Sequence, residues 1–318
     1  MKVALLFAGQ YRKNSKELFR NSLNIFTENL DFNIFSFCWK EIGTSLDHRE
    51  EVKILKSDNN IDLEIKQLFD GYNLYNHNSE CFKDFQSSLQ NSFSSIQDSK
   101  IYHPGTIRAL PQLYSLQKCY ELMRDSKIDY DLIFRCRYDS LFLHPLNLYP
   151  LEKIYMDNFL YNINFGRAYY PYRVYDIFFG GSYKSMRFLE NIFLDFPQLV
   201  HSNFKNGLDN RDCCRLIYLS SIKNGIQVKS FKSRICDVFR IKKDFYYERY
   251  ILSSHFISII PFKNNLKIIS YFKKWILRRK IPKVLVINSI FQTSIRLPIN
   301  YLKRIYYFLI YLRNLKFK

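Results

Sequence analysis

Two guanidiniums and a carboxylate, Arg135, Arg137 and Asp139, lie in the run Tyr130-Asp-Leu-Ile-Phe-Arg-Cys-Arg-Tyr-Asp-Ser-Leu-Phe-Leu143. Guanidiniums take phosphate or carboxylate oxygens bidentately, and a carboxylate can hold a divalent cation. Leu132-Ile-Phe134, just before them, reads as a buried strand of an α/β sheet. In a strand alternate residues share a face, so the spacing puts all three charges on one side. Charges there are expensive unless paired or used. The carboxyl end of such a strand is where open α/β sheets bind ligands. The structural alternative is an internal salt-bridge lattice. Asp129-Tyr-Asp131 is a literal Asp-x-Asp, but it precedes the strand and falls at the wrong edge.

A second group of candidates follows the first apolar run. Lys2-Val-Ala-Leu-Leu-Phe7 reads as a central strand, and Ala8-Gly9-Gln10-Tyr11-Arg12 as the turn after it. Asn14 and Glu17 have capping-box spacing for a helix that carries Leu18, Phe19, Leu23 and Phe26 on one face. Asp31 to Cys38 is the next strand. Strand, glycine turn, helix and strand make a βαβ unit, whose first turn can approach a nucleotide. The other reading of Gly9 is a tight turn needing positive φ. Asp176 sits in an apolar strand-like stretch, Val174 to Phe179, ahead of Gly180-Gly181-Ser182. It is either hydrogen-bonded scaffold or a base. The paired glycines imply close approach of a substrate or of another element.

The remaining elements frame these residues. Ile61 to Phe69 reads as a helix, and Val52 to Leu55 as a short strand. Ser79 to Ser99 reads as an irregular surface stretch. Pro111 opens a helix with Leu113, Leu116, Tyr120 and Met123 as its stripe. Gln112, Gln117 and Lys118 stand off that stripe, solvated or reaching a ligand. Phe159 to Phe165 is a strand, Lys184 to Phe196 a helix, and Asp209 to Ile222 a helix closed by Asn224-Gly225. Asp212 lies in its first turn. Ile226 to Val228 is a last strand. Residues 1–262 therefore form one α/β domain.

Charge separates the tail from this domain. Of 48 Lys and Arg, 14 fall between Lys263 and Lys318, where no Asp or Glu occurs; the rest, 34 against 29 acidic residues, is near balance. Within residues 263–318, Leu266, Ile269, Phe272 and Ile276 recur at helical spacing, as do Leu302, Ile305, Tyr306 and Leu309. Lysines and arginines take the other faces. Basic amphipathic helices of this kind lie on anionic membrane surfaces. The alternatives are a helix packed on the domain with a solvated face, and nucleic-acid binding. The rich apolar stripes, and the lack of any nucleic-acid-binding motif, argue against the last. Seven cysteines without a Cys-x-x-Cys pair fit buried thiols in a reducing cytosol. The chain opens on a strand rather than a signal peptide, and no apolar run has spanning length.

Lys2 to Arg12, Tyr130 to Asp139 and Asp176 to Ser182 together resemble bacterial glycosyltransferases of capsule and O-antigen gene clusters. The resemblance covers about Met1 to Val228. It implies a GT-A-like fold, a Rossmann-type mixed sheet flanked by helices. It implies transfer of a sugar from a nucleotide-diphosphate sugar to a lipid-linked glycan acceptor. Enzymes of this kind would work at the inner face of the bacterial cytoplasmic membrane. The family's metal-binding Asp-x-Asp corresponds here to Arg137-Tyr138-Asp139, with one carboxylate. The resemblance thus gives Asp139 the Mg²⁺ or Mn²⁺. Gly9, Gln10, Arg12, Arg135 and Arg137 take the nucleotide sugar, and Asp176 the acceptor. Replacing Asp139 with Ala is expected to abolish transfer while leaving melting nearly unchanged. Two other classes share these features. A non-catalytic assembly protein for polysaccharide export would share the tail, and another phosphate-handling transferase the strand-end site.

Overall fold

The computed structural model describes residues 1–11, 16–42, 56–57, 60–82, 85, 104–142, 145–163, 173–205, 213–231 and 236–238. The chain begins with β1 (Lys2–Gly9), α1 (Lys16–Phe26) and β2 (Asp31–Trp39). A small antiparallel pair follows, β3 (Glu41–Ile42) with β4 (Lys56–Ser57). Next come α2 (Ile61–Leu68), β5 (Leu74–Glu80), α3 (Pro104–Arg124), β6 (Leu132–Cys136), β7 (Ser140–Phe142), α4 (Leu151–Met156) and β8 (Phe159–Asn162). The last elements are β9 (Phe178–Ser182), α5 (Tyr183–Met186), α6 (Phe196–Lys205), α7 (Cys213–Lys223), β10 (Gln227–Ser230) and β11 (Cys236–Val238).

Seven strands form one mixed sheet in the order β10-β8-β9-β6-β1-β2-β5. β1 is parallel to both neighbours, β2 and β6, while β9 runs antiparallel to β6 and β8. This is the expected α/β class, a Rossmann-type mixed sheet flanked by helices. Alternation decides which side each residue serves. Ala4, Leu6 and Ala8 of β1 face one apolar layer, with Leu113, Leu116, Tyr120 and Met123 of α3 and Leu216 and Ile217 of α7. Val3, Leu5 and Phe7 face the other, with Phe19, Leu23 and Phe26 of α1 and Ile65 and Leu68 of α2. A strand buried on both faces needs a continuous apolar sequence, which is what Lys2–Gly9 supplies.

Several boundaries differ from the sequence expectation. α3 begins at Pro104, so Pro111 lies inside the helix rather than opening it. Ala109 and Leu110 are buried against the sheet, and that packing carries the helix past the proline. β5 is a strand although its sequence, Leu-Tyr-Asn-His-Asn-Ser-Glu, is mostly polar; it is the sheet's edge and half solvated. The two glycines lie within β9, not after a strand. Gly180 is paired with Phe134, and a Cβ there would strike the Phe134 ring and the Ile133 carbonyl. A Cβ at Gly181 would strike Ser185 Oγ. Their close approach is to other elements of the fold. The Val52–Leu55 strand, the Asn14 cap, Asp212 and the 263–318 tail lie outside the described residues. The cysteines are free thiols, and five of the seven are buried. Among the described residues no helix is long and apolar enough to cross a membrane.

Candidate functional site

The chain runs from β1 outward through β2 to β5, then α3 carries it back to β6 on the other side of β1. The strand order therefore reverses between β1 and β6. At such a reversal the carboxyl ends of the two strands bound the ligand crevice of an open α/β sheet. Gly9 ends β1 there with φ +113°. A Cβ on it would stand 3.9 Å from Ser115 Oγ of α3 and 4.0 Å from Arg135 Nη2 of β6. The first turn, α3 and β6 thus meet at one point. Gln10 follows, half-buried at the same edge. Arg12 lies outside the described residues.

Arg135 is the one charged residue of the trio that lies within the strand itself. Its side chain turns toward the α3 face of the sheet and is buried. Nη2 donates to the Ala8 carbonyl at 3.0 Å and Nη1 to the Ile177 carbonyl at 3.4 Å. Its buried Nε has no hydrogen-bond partner. Arg135 therefore ties the end of β1 to the turn before β9. Burial weakens its hold on a proton, with Asp176 opposing and Arg137 adding to that pull, and the net shift is down. A guanidinium starts so far above neutrality that it stays cationic.

Arg137 and Asp139 lie beyond the strand, in the turn between β6 and β7, not on the strand face that the spacing suggested. The turn closes on itself: Ser140 N donates to the Arg137 carbonyl at 3.1 Å, and Arg137 N donates to Ser140 Oγ at 3.2 Å. Arg137 Nε donates to Asp139 Oδ1 at 2.7 Å and Nη2 to Asp139 Oδ2 at 2.9 Å. Its third edge reaches across the sheet, with Nη1 donating to Asp176 Oδ2 at 3.0 Å. Burial disfavours this cation, but Asp139 and Asp176 outweigh it and raise its pKa. The Asp139 side chain is 1% exposed, against 16% for Arg137 and 14% for Asp176. Arg137 and Asp176 form the solvent side of the cluster, and Asp139 is its floor.

Asp176 joins this cluster because β9 is antiparallel. Its amino end lies beside the carboxyl end of β6, so the turn before Phe178 arrives at the same edge as Arg137 and Asp139. α7 holds that turn: the Val174 amide donates to the Cys214 carbonyl at 2.9 Å, and Cys214 Sγ donates to Asp176 Oδ1 at 3.6 Å.

Tyr138 points inward between the two charged residues. Its hydroxyl donates to the Phe7 carbonyl at 3.0 Å and lies 2.8 Å from Ser36 Oγ. Ser36 continues to His77 Nδ1 at 2.8 Å, and His77 Nε2 to Asp62 Oδ1 at 2.9 Å. Sequence reasoning missed this chain, as it missed Ser115 and Cys214. Tyr138 sat inside the motif, but nothing in the spacing gave its hydroxyl a partner. Of the helix candidates, Gln117 is scaffold: its Oε1 accepts from the Phe193 amide at 3.1 Å. Lys118 pairs with Glu121 at 2.9 Å. The Asp131 carboxylate accepts from the Lys2 amide at 2.7 Å, at the opposite edge of the sheet.

The expected metal ligand meets an occupied carboxylate. A divalent cation needs carboxylate lone pairs it can reach, and both oxygens of Asp139 accept from Arg137 while the side chain is sealed from solvent. Among the described residues no group of three or more His, Cys, Asp or Glu is arranged to hold a metal ion. In this arrangement the donor set fits a guanidinium. What the cluster offers is two cations and two carboxylates at the carboxyl end of β6. It can anchor an anionic group and hydrogen-bond a hydroxyl.

No family model matches the chain, and no curated protein matches it. Among solved structures it is similar to the apo crystal structure of mouse xyloside xylosyltransferase 1, at 11% identity and a TM-score of 0.40, over 73% of this chain and 85% of that one.

Proposed function

We propose that the chain is a nucleotide-sugar-dependent glycosyltransferase whose donor diphosphate sits at the carboxyl ends of β1 and β6. One observation carries this reading: Arg135 meets Gly9 where the strand order reverses, and Arg137, Asp139 and Asp176 form an ion-paired cluster in the turns that follow β6 and precede β9. In glycosyl transfer the diphosphate leaves with the electron pair of the anomeric bond. The growing negative charge must be met by fixed cations or dipoles already in place. Arg137, on the solvent side of the cluster, is placed to take a phosphate oxygen, with Arg135 behind it. Gly9, which has no side chain, lets a phosphate or ribose approach the backbone of the first turn. Asp176 would bind or deprotonate the acceptor hydroxyl.

In this GT-A-like reading the half built from β1, β2, β5 and β6 takes the nucleotide. The half around β8, β9 and β10 takes the acceptor. The resemblance supplies the finer assignment, a lipid-linked glycan of capsule or O-antigen synthesis. The composition of residues 263–318 supplies the partner surface, an anionic membrane on its cytoplasmic side.

The test is a thermal-shift screen of UDP-, GDP-, dTDP- and CMP-sugars, with transfer to a lipid-linked acceptor followed by mass spectrometry. One nucleotide class should raise the melting temperature and yield a glycosylated product. No shift and no product with any of them removes the reading.

A further inference from the structure

We propose that Arg137 stands where a divalent cation would otherwise lie, and that transfer runs without a metal. The inference rests on the glycosyltransferase reading above and deepens it. Three observations lead to it. First, Arg137 spans both carboxylates of the site, taking Asp139 side-on by two bonds and Asp176 by a third. A metal at such a site is held by one or two carboxylates with phosphate oxygens and water completing its shell, and here a single guanidinium lies between the two carboxylates. Second, Asp139 is sealed from solvent, so a hydrated cation has no route to it without displacing Arg137. Third, the charges match. Arg137 pairs with both carboxylates and Arg135 lies within electrostatic reach of Asp176, so the site holds two positive charges, the number one Mg²⁺ or Mn²⁺ would bring.

Arg137 still has work left over. Its side chain keeps 16% of its surface open, and Arg135 holds a buried Nε without a partner behind it. A diphosphate oxygen arriving at the solvent side meets a cation fixed in place by its carboxylates. A fixed cation stabilises developing charge without reorganising at the moment of reaction. The anomeric C–O bond breaks and its electron pair leaves on the diphosphate. The acceptor oxygen forms the new C–O bond, and its proton passes to water, directly or through the Asp176 carboxylate. No oxidant, reductant or further co-reactant is required.

The test uses the full-length wild-type chain in EDTA and then with saturating Mn²⁺. Transfer from the nucleotide sugar that binds should agree between the two within about twofold. Calorimetric titration with UDP, GDP and dTDP in EDTA should show one of them binding as it does with Mn²⁺. Arg137→Lys keeps the charge and Arg137→Gln removes it. Gln should lose about 100-fold in kcat, the scale of one lost charge-stabilising donor, and Lys clearly less. Transfer that vanishes in EDTA and returns with Mn²⁺ overturns the proposal while the glycosyltransferase reading stands. Equal losses in Lys and Gln, with wild-type folding, also overturn it, since the charge would then be immaterial. No transfer in either condition overturns both readings.

Discussion

Arg137 grips both carboxylate oxygens of Asp139, at 2.7 and 2.9 Å, from two residues away in the chain. The turn between β6 and β7 is therefore closed by its own ion pair, and the same guanidinium reaches Asp176 across the sheet at 3.0 Å. The residue proposed to take the phosphate, Arg137, thus also holds the local fold.

Asp139→Ala is accordingly expected to lose stability as well as activity. The sequence alone suggested an intact melting curve. The buried bidentate pair changes that, because removing one partner leaves the other cation in a poorly solvated place. Breaking such a pair costs about 3–5 kcal/mol, a large share of a typical domain's stability of about 5–15 kcal/mol. Urea unfolding of Asp139→Ala against wild type measures it. A midpoint unchanged from wild type would mean that solvent reaches the turn freely.

Gly180→Ala should destabilise the chain by about 3 kcal/mol, the upper range of overpacking costs. The added methyl meets the Phe134 ring and the Ile133 carbonyl, and neither can withdraw from the centre of the sheet. Chemical denaturation of Gly180→Ala is the check. A neutral effect would contradict the close β6–β9 pairing that brings Asp176 to the site.

His77 gives the protein a sensitivity to mild acid. Burial lowers its pKa below the ordinary 6.5; the hydrogen bond and charge of Asp62 oppose this, and nearby Lys66 adds to it. The folded state therefore prefers neutral imidazole. Its contribution is complete above pH 6.5 and is lost as pH falls through the lower folded value. Asp62 acts at lower pH. Burial works to raise its carboxyl, but Ser79 and His77 hold it below the ordinary 3.8. Its contribution is complete above that value and is lost as pH falls further. Urea midpoints measured from neutral to weakly acid pH should fall in wild type and stay flatter in His77→Gln. Parallel curves for the two proteins would rule His77 out as the cause. The hydrogen-bonded series from His77 through Ser36 reaches Tyr138, between Arg137 and Asp139, so donor binding should weaken over the same range.

Residues 263–318 are expected to hold the protein on anionic bilayers, each basic residue contributing about 1 kcal/mol near the surface. In flotation with phosphatidylserine-containing liposomes, the full chain should co-float and a 1–262 truncation should not. The attachment should weaken as salt rises. Co-flotation of the truncated form would place the membrane contact elsewhere.

The buried strands were legible because burial on both faces favours apolar residues: Val3 to Ala8 of β1 is an unbroken apolar run, and β2 and β6 are mostly apolar, interrupted by Asn33 and Ser36 and by Arg135. The position of Gly9 and its positive φ followed from the turn after β1. Asp176 was visible as a misplaced carboxylate, but its meeting with Arg137 was not. That meeting depends on β9 running antiparallel, which no local pattern encodes. β5 escaped notice because an edge strand can be polar. Arg137 and Asp139 were read as strand residues sharing a face; the chain turns after Cys136, and their pairing comes from that turn. The chain from Tyr138 through Ser36 and His77 to Asp62 joins residues far apart in sequence, and spacing carries no trace of it.

The central claim is that the diphosphate of a nucleotide sugar binds where β1 and β6 end. A crystal soaked with the nucleoside diphosphate that gives the largest thermal shift tests it most directly. The account predicts phosphate oxygens within hydrogen-bonding distance of the Arg137 guanidinium, with the ribose or base against Gly9 and Gln10. A nucleotide bound elsewhere, with the Arg137–Asp139–Asp176 cluster untouched, would contradict it.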